Sequence, residues 1–280
     1  MTVVVVTDSA SGLSDDLVAE LGVEVVPLHV LVGDREIREG LDPVEIDYAA
    51  DSVTTSAASP GELREAYERA LTHSGGDGVV AVHLSRTLSA TWESGRQAVR
   101  DMGAEDRVRL VDSLGAGLAT GLPVLAAARR ARAGEALDAV YECAVAAAAR
   151  ARTFILVNRT EQLRKGGRLS SAAAFFGSEL VTKPLLHLVE GKLELREKVR
   201  TRSRAYTKLV AAAVDAAGRD GAALGIQHLG APDAAETIAE QLREQLPEVT
   251  ELHVGEFGPT LGVHLGVGAL GVAVLPGGCS

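Results

Sequence analysis

The chain has 280 residues, enough for one large domain or two of ordinary size, and 46% of them are hydrophobic. Only 3% are aromatic, so the cores must be built mainly from alanine, valine and leucine. Lysine plus arginine number 28 against 38 aspartates plus glutamates, a net charge of −10 at pH 7. That balance argues against nucleic acid or an anionic membrane surface as a main partner, since both select a concentrated basic footprint.

Cysteine usage and the N-terminus indicate the compartment. Cys143 and Cys279 lie far apart without metal-ligand spacing, which predicts free thiols in a reducing compartment and no metal site. The first residues lack the basic region of a signal peptide. No stretch approaches the run of about 18 uncharged apolar residues that a membrane span requires. We therefore expect a cytoplasmic protein.

The first half of the chain alternates predicted strands with predicted helices. The strands are short β-branched runs, and the helices begin at caps such as Ser14 or are rich in alanine. Pro27 places the second strand at a sheet edge, and residues 35–48 are too poorly patterned for any element. The predicted strands cover residues 3–6, 23–31, 78–84 and 108–111, and the predicted helices cover 15–21, 60–72, 92–102, 115–133 and 135–152. Such alternation implies a mainly parallel sheet flanked by helices.

The pattern changes after Arg152. Two strand-like runs joined by Glu190-Gly191 have the signature of a hairpin with a two-residue turn, and a strand-helix-strand pattern follows. The predicted strands cover residues 153–157, 183–189, 192–198, 222–228, 249–254 and 272–275. The predicted helices cover 159–164, a segment that opens with the basic run 198–204 and ends at about 217, and 231–246. We therefore predict an α/β protein of two domains, 1–152 with the parallel sheet and 153–280 of α+β type with a mixed sheet.

Two groups of hydroxyl side chains are candidates for ligand binding. Thr54, Thr55 and Ser56 are predicted in a loop before a helix that opens with a capping box formed by Ser59 and Glu62. A second group, within residues 85–91, leads from a strand into a helix, a geometry that presents hydroxyl and N–H groups to an anion. For Thr54, Thr55 and Ser56 the alternative is that the hydroxyls only satisfy backbone groups of a loop.

Two further residues carry charge or titrate in glycine-rich surroundings. The glycine pair before Arg168 suits a helix C-cap and allows the guanidinium to enter a cleft, although a solvated arginine is the alternative. His264 lies in an apolar, glycine-rich stretch over residues 257–271, predicted as a flexible loop, where a structural histidine is the alternative. An imidazole, a guanidinium and hydroxyls suit a carboxylate or phosphate better than a cation. The aliphatic walls suit an apolar tail on that anion.

Eight segments follow the motifs of one known family in one order and cover nearly the whole chain. They are Thr7–Ala10 (T-D-S), Thr55–Ser59 (T-S-Q-P-S), Leu84–Trp92 (S-S-x-L-S-G-T-Y), Leu163–Ser170 (L-x-K-G-G-R-I-S), Lys183–Leu186, Glu190–Lys192, Lys198–Arg200 and His264–Gly271 (H-T-G-P-G-A-L-G). On these residues the chain resembles the DegV family of bacterial fatty-acid-binding proteins, called FakB where they serve a fatty acid kinase. The departures at Ala57, Ala58, Ala90, Trp92 and Val267 remove none of the candidate ligand-binding groups.

The resemblance implies two α/β domains with the ligand, one long-chain fatty acid such as palmitate, bound between them. It implies that Thr55 and Ser89 hydrogen-bond the carboxylate and that Arg168 and His264 complete the polar end. Ser56 and Ser85, on the same two motifs, join the candidate ligand-binding residues. We therefore expect a buried, mostly aliphatic cavity of at least roughly 300 Å³.

The resemblance also implies that the protein performs no reaction by itself. Family members take a fatty acid from the membrane in a transient contact and present its carboxylate to a separate fatty acid kinase. The basic run at Arg200, Arg202 and Arg204 is the candidate contact for that kinase, or else a solvated helix face. The alternative function is a small-molecule phosphotransferase or hydrolase with His264 as base or nucleophile. The sequence shows no phosphate-gripping P-loop and no acidic residue obviously paired with His264, which favours the carrier.

Overall fold

The computed structural model describes residues 2–43, 45–48, 50, 52–158, 160–169 and 183–279. The strands are β1 Val4–Asp8, β2 Glu24–Val26, β3 His29–Val32, β4 Arg35–Arg38, β5 Val53–Ser56, β6 Val79–His83, β7 Val108–Asp112, β8 Arg152–Leu156, β9 Lys183–Val189, β10 Lys192–Val199, β11 Ala222–His228, β12 Val249–Glu256 and β13 Leu270–Pro276. The helices are α1 Asp15–Leu21, α2 Pro60–Ser74, α3 Thr91–Met102, α4 Leu118–Arg132, α5 Leu137–Arg150, α6 Glu161–Lys165, α7 Arg202–Ala217, α8 Pro232–Gln245 and α9 Pro259–Leu265, with a short 3-10 turn at Ser9–Ser11.

The first large sheet is parallel, in the order β2-β1-β6-β7, as the alternation of strands and helices predicts. Successive strand residues point to opposite faces, so that Val6 packs against α2 and α3 while Val5 packs against α4 and α5. Both faces are covered by aliphatic side chains, which explains why these strands are continuous apolar runs. The edge position of β2 confirms the prediction from Pro27.

The second large sheet is mixed and follows the order β10-β9-β8-β13-β11-β12. Only β11 and β12 pair in parallel, and the other neighbours are antiparallel. The predicted hairpin of β9 and β10 is confirmed, with positive φ at both turn residues, Glu190 (48°) and Gly191 (79°). Helices α7 and α8 cover one face. The fold is therefore of the predicted α/β class, and the domain boundary at 152/153 stays a prediction.

Helix α4 lies between the two large sheets. Its Val124 belongs to the apolar cluster on the parallel sheet. Leu122 and Leu125 belong to a separate cluster that includes Ala223 and Leu275 of the mixed sheet. One largely buried helix thus joins the halves of the chain.

A third sheet, in the order β4-β3-β5, was not expected from the sequence. The single strand predicted over residues 23–31 is wrong, because the chain leaves the parallel sheet at Pro27 and enters this one as β3. The loop prediction for residues 54–56 is also wrong, since β5 pairs with β3 and places Thr55 opposite Val30. The strands are short and mostly polar outside a small core around Val30 and Ile37, so their sequence pattern is weak.

The glycine-rich stretch predicted as a loop contains helix α9, with His264 in its last turn. Pro259 occupies the first turn, where a missing N–H costs nothing. Gly262 is required by packing, because a Cβ there would lie 2.6 Å from a ring carbon of Tyr48. Gly262 therefore serves close approach within a helix rather than flexibility.

Candidate ligand-binding site

A cavity of about 340 Å³ is lined by residues from both halves of the chain. Its walls are largely aliphatic and include Leu84, Leu88, Ile155, Leu188, Leu193 and Leu265. The volume falls within the range of about 300–1,000 Å³ that ligand pockets occupy. The expectation of an aliphatic cavity of this size is confirmed.

Five of the six candidate residues lie around this one cavity: Thr55, Ser56, Ser89, Arg168 and His264. They reach it from β5, from the turn between β6 and α3, from the segment after α6 and from α9. Residues far apart in sequence thus form one polar wall of a mostly apolar cavity. Their role in holding a ligand is a proposal, taken up below.

The central contact of the polar wall joins Thr55 and His264. The Thr55 Oγ1 and His264 Nε2 atoms lie 2.8 Å apart and share a hydrogen bond. Burial, followed by the nearby positive charge of Arg168, lowers the pKa of His264 from 6.5 to about 4. The ring is therefore neutral at pH 7, and an anion placed beside it would raise its pKa again.

Arg168 brings a permanent charge to the same wall. Its Nε donates to the backbone oxygen of Leu88 at 3.1 Å, and its guanidinium also donates to the carbonyl of Gly166. The chain can turn there because Gly167 has a φ of 71°, in the left-handed region. This confirms the prediction that the glycine pair directs Arg168 into a cleft. Arg159, the predicted start of the preceding helix, and Ser170 of the family motif lie outside the described residues.

The hydroxyls of Ser89 and Ser56 complete the polar wall. Ser89 Oγ lies 2.9 Å from Thr91 Oγ1 and accepts a hydrogen bond from the Thr91 backbone N–H at 3.3 Å. That places Ser89 at the beginning of α3, as the strand-to-helix pattern predicts. Ser56 is exposed at the end of β5, and its hydroxyl donates to the carbonyl of Ala57 at 3.3 Å.

Ser85 has a different surrounding from the other five candidates. Its side chain is fully buried, lies outside the cavity lining, and donates to the carbonyl of Gly191 at 2.9 Å. A Cβ on Gly191 would lie 2.3 Å from the Ser85 hydroxyl. The structure thus places Ser85 as an anchor between the β9–β10 turn and the end of β6. Sequence proximity to Ser89 did not reveal that the two hydroxyls point to different places.

The sequence analysis missed three polar residues of the cavity lining: Thr153, Gln227 and Thr260. Gln227 is almost fully buried on β11, and its Oε1 accepts from the backbone N–H of Leu118 at 2.7 Å, at the start of α4. It joins the mixed sheet to the helix between the halves. A single amide in the buried run 222–228 was the signal available in the sequence.

Across the described residues, no three His, Cys, Asp or Glu side chains are grouped so that they could hold a metal ion. Within the same residues, none of the helices has the length and apolar character needed to cross a membrane.

The fold and the site define a class of protein: two α/β halves that together line a mostly apolar cavity with one polar wall. A family model described as "Uncharacterised protein, DegV family" matches residues 2–277. This chain belongs to the DegV family.

Relatives and solved structures agree with that assignment. A DegV domain-containing protein of Mycobacterium tuberculosis is 42% identical over 274 residues, which cover 98% of this chain and 97% of the relative. A fatty-acid-binding DegV family protein from Thermus thermophilus is 30% identical with a TM-score of 0.91, covering 99% of this chain and 100% of that one. DegV from Bacillus subtilis, a fatty acid binding protein, is 30% identical with a TM-score of 0.85, covering 98% and 99%. The predicted family and fold class are confirmed.

Proposed function

We propose that this protein binds a long-chain fatty acid such as palmitate, with the acyl chain in the aliphatic cavity and the carboxylate at the polar wall. The observation that carries the proposal is the neutral His264–Thr55 pair beside Arg168, on the wall of a mostly apolar cavity. The fatty-acid binding of the similar Thermus thermophilus and Bacillus subtilis proteins supports it.

The energetics of such a ligand divide between its two ends. Each buried methylene contributes about 0.8 kcal/mol, so the acyl chain supplies most of the affinity. A carboxylate taken out of water must regain hydrogen bonds, and each charged one contributes roughly 1.5–3 kcal/mol. Thr55, Ser89 and His264 offer those donors, with Ser56 at the edge, while Arg168 supplies the compensating charge. The polar wall thus selects an anionic head group and the cavity selects its tail.

We further propose that the protein is a carrier rather than an enzyme, working in the cytoplasm. It would collect its ligand in a transient membrane contact and present the carboxylate to a fatty acid kinase that forms the acyl phosphate. Arg200, Arg202 and Arg204 are all exposed around the start of α7, which supports them as the kinase contact on an otherwise acidic chain.

The alternative function, a phosphotransferase or hydrolase using His264, has less support. A general base of that kind is usually oriented by a carboxylate on its second nitrogen and has a pKa near 7. The hydrogen-bond partner of His264 is the hydroxyl of Thr55, and its pKa of about 4 makes it a weak base at neutral pH.

The proposal is tested by extracting the purified protein with organic solvent and identifying the extract by mass spectrometry. We expect close to one long-chain fatty acid per chain. Thr55→Ala should lower that occupancy, while Thr54→Ala is the matched control, because Thr54 is exposed on the neighbouring position of the same strand and does not line the cavity. A wild-type protein that carries no lipid and does not bind added palmitate would refute the proposal.

A further inference from the structure

A buried glutamate, Glu39, lies outside the polar wall and remains without a role in the function proposed so far. It follows β4, and only 6% of its surface is exposed. Its backbone N–H donates to the carbonyl of Leu28 at 2.8 Å, which fixes the main chain at this point. Burial raises the pKa of Glu39, and hydrogen bonds from Ser9 and Thr260 oppose that rise. Burying a carboxyl group is costly unless hydrogen bonds compensate for the lost water. The contacts of Glu39 therefore indicate what its burial achieves.

The two carboxylate oxygens of Glu39 contact two different parts of the fold. Oε2 accepts a hydrogen bond from the Ser9 hydroxyl at 2.7 Å, and that hydroxyl itself accepts from the Leu28 N–H at 2.9 Å. Oε1 accepts from the backbone N–H of Thr260 at 3.4 Å. Glu39 therefore ties the turn after β1 to the first turn of α9.

Helix α9 has no capping side chain of its own. Its N-cap residue is Gly258, which offers no hydrogen-bond acceptor beyond the backbone. A Cβ on Gly258 would lie 1.9 Å from Glu39 Oε1, so the carboxylate packs directly on the backbone where the helix begins. Glu39 thus occupies the place of the missing cap and accepts one of the N–H groups that a helix start leaves unpaired.

The same helix carries His264 at its other end. Thr260 and His264 are four residues apart, which places them on one face, and both line the cavity. In a helix of seven residues, a change in direction at Thr260 moves His264 relative to Thr55.

We infer that Glu39 is a positioning residue of the ligand site: by holding the start of α9 against Ser9, it sets the orientation of His264 toward Thr55. The inference rests on the proposed function, because the orientation matters when an anion binds at the polar wall. Glu39 itself touches no ligand and acts through α9.

The test compares Glu39→Ala, Glu39→Gln and Gly258→Ala with the wild type, after removal of lipid. Two quantities are measured: palmitate affinity by calorimetric titration, and the NMR signal of the His264 ring, assigned with His264→Gln. Glu39→Ala should weaken palmitate binding about tenfold, the factor that 1.4 kcal/mol represents, and should shift the His264 signal. Glu39→Gln should restore both, because its amide oxygen still accepts from the Thr260 N–H.

Gly258→Ala is an independent approach to the same contact. The φ of Gly258, −61°, suits alanine, so the new Cβ acts mainly by displacing the Glu39 carboxylate. It should shift the His264 signal in the same direction as Glu39→Ala, and the double variant should be no worse than Glu39→Ala alone. Glu256→Ala, which removes an exposed carboxylate at the end of β12, is the control and should change neither quantity.

The outcomes separate this inference from the proposed function. A folded Glu39→Ala protein with wild-type affinity and an unchanged His264 signal would overturn the inference and leave fatty-acid binding in place. A wild type that binds no palmitate would refute the function, while the His264 signal would still decide whether Glu39 orients the ring. If Glu39→Ala does not fold, an unchanged signal in Gly258→Ala overturns the inference.

Discussion

Two histidines in this molecule each lie 2.8 Å from a hydroxyl, and they have opposite surroundings. His83 is completely buried, with Tyr67 on Nε2 and Asp8 on Nδ1 at 3.0 Å. His264 is partly exposed, lines the cavity, and contacts the hydroxyl of Thr55. A histidine with a protein partner on each nitrogen holds a fold together, whereas one whose partner is a hydroxyl facing a cavity can exchange that contact for a ligand.

The hydrogen-bonded network of Tyr67, His83 and Asp8 also positions part of the cavity lining. Asp8 Oδ2 accepts from the backbone N–H of Leu84 at 3.0 Å as well as from His83, which fixes the chain where β6 ends. Leu84 lines the cavity, and Ser89 follows it in the same turn. His83 thus supports the segment after β6, which carries the Ser89 hydroxyl of the polar wall.

The largest effect is expected on stability, when the buried hydrogen bonds of His83 are removed. His83→Ala leaves the buried Asp8 carboxylate and the Tyr67 hydroxyl without their partner, so we expect a loss of about 3–5 kcal/mol in the free energy of unfolding. Urea denaturation measures it. His73→Ala is the control, because His73 forms an exposed pair with Glu24 that contributes at most about 1 kcal/mol. Equal losses in the two variants would contradict the structural role of His83.

Substitutions in the polar wall of the cavity should show the reverse: a large effect on ligand binding and a small effect on stability. Thr55→Ala or His264→Ala should weaken palmitate binding roughly ten- to a hundredfold, since each removes one of the hydrogen bonds proposed to hold the carboxylate. Stability should change little, because neither residue belongs to the apolar clusters formed by the described residues. Titration with palmitate and thermal unfolding measure the two effects. If a folded variant binds as tightly as the wild type, the carboxylate is held elsewhere.

Lowering the pH should reduce the stability of the folded protein, because it protonates His264. Its pKa is about 4 in the folded, ligand-free protein against an ordinary value of 6.5, so between these values the unfolded chain binds a proton that the folded one does not. The stability contributed by the neutral ring is complete above pH 6.5 and is lost as the pH falls toward 4. We expect the wild type to lose more stability than His264→Gln over this range, measured by denaturation at pH 7 and pH 5. Parallel losses would mean that His264 is not buried enough to resist protonation.

The smallest effect on ligand binding is expected from substitutions on the protein surface, away from both histidines. Arg200→Glu with Arg202→Glu should leave palmitate binding intact, since both side chains are exposed and lie outside the cavity lining. If the proposed kinase docks here, acyl phosphate formation by an added fatty acid kinase should fall, because charge reversal opposes docking to a complementary surface. Arg243→Glu, an exposed arginine on α8, is the control. Loss of lipid occupancy together with acyl phosphate formation would indicate misfolding instead.

The sequence by itself determined the elements whose signals are local. Buried parallel strands are continuous β-branched runs, Ser59 and Glu62 form the predicted capping box, and Glu190-Gly191 forms the predicted turn. These signals depend on residues a few positions apart, so no knowledge of the fold is needed to interpret them. The family motifs likewise indicated five residues that line one cavity.

Only the tertiary structure decided which polar residues face that cavity. Ser85 and Ser89 lie in one turn, yet the first anchors the hairpin and the second lines the cavity. His83 and His264 differ in the same way, and Thr55 lies on a strand because β3 is available to pair with it. A side chain's direction and a short strand's partner are set by segments far away in sequence. For that physical reason, the chemistry of the polar wall was predictable from the chain, but its geometry was not.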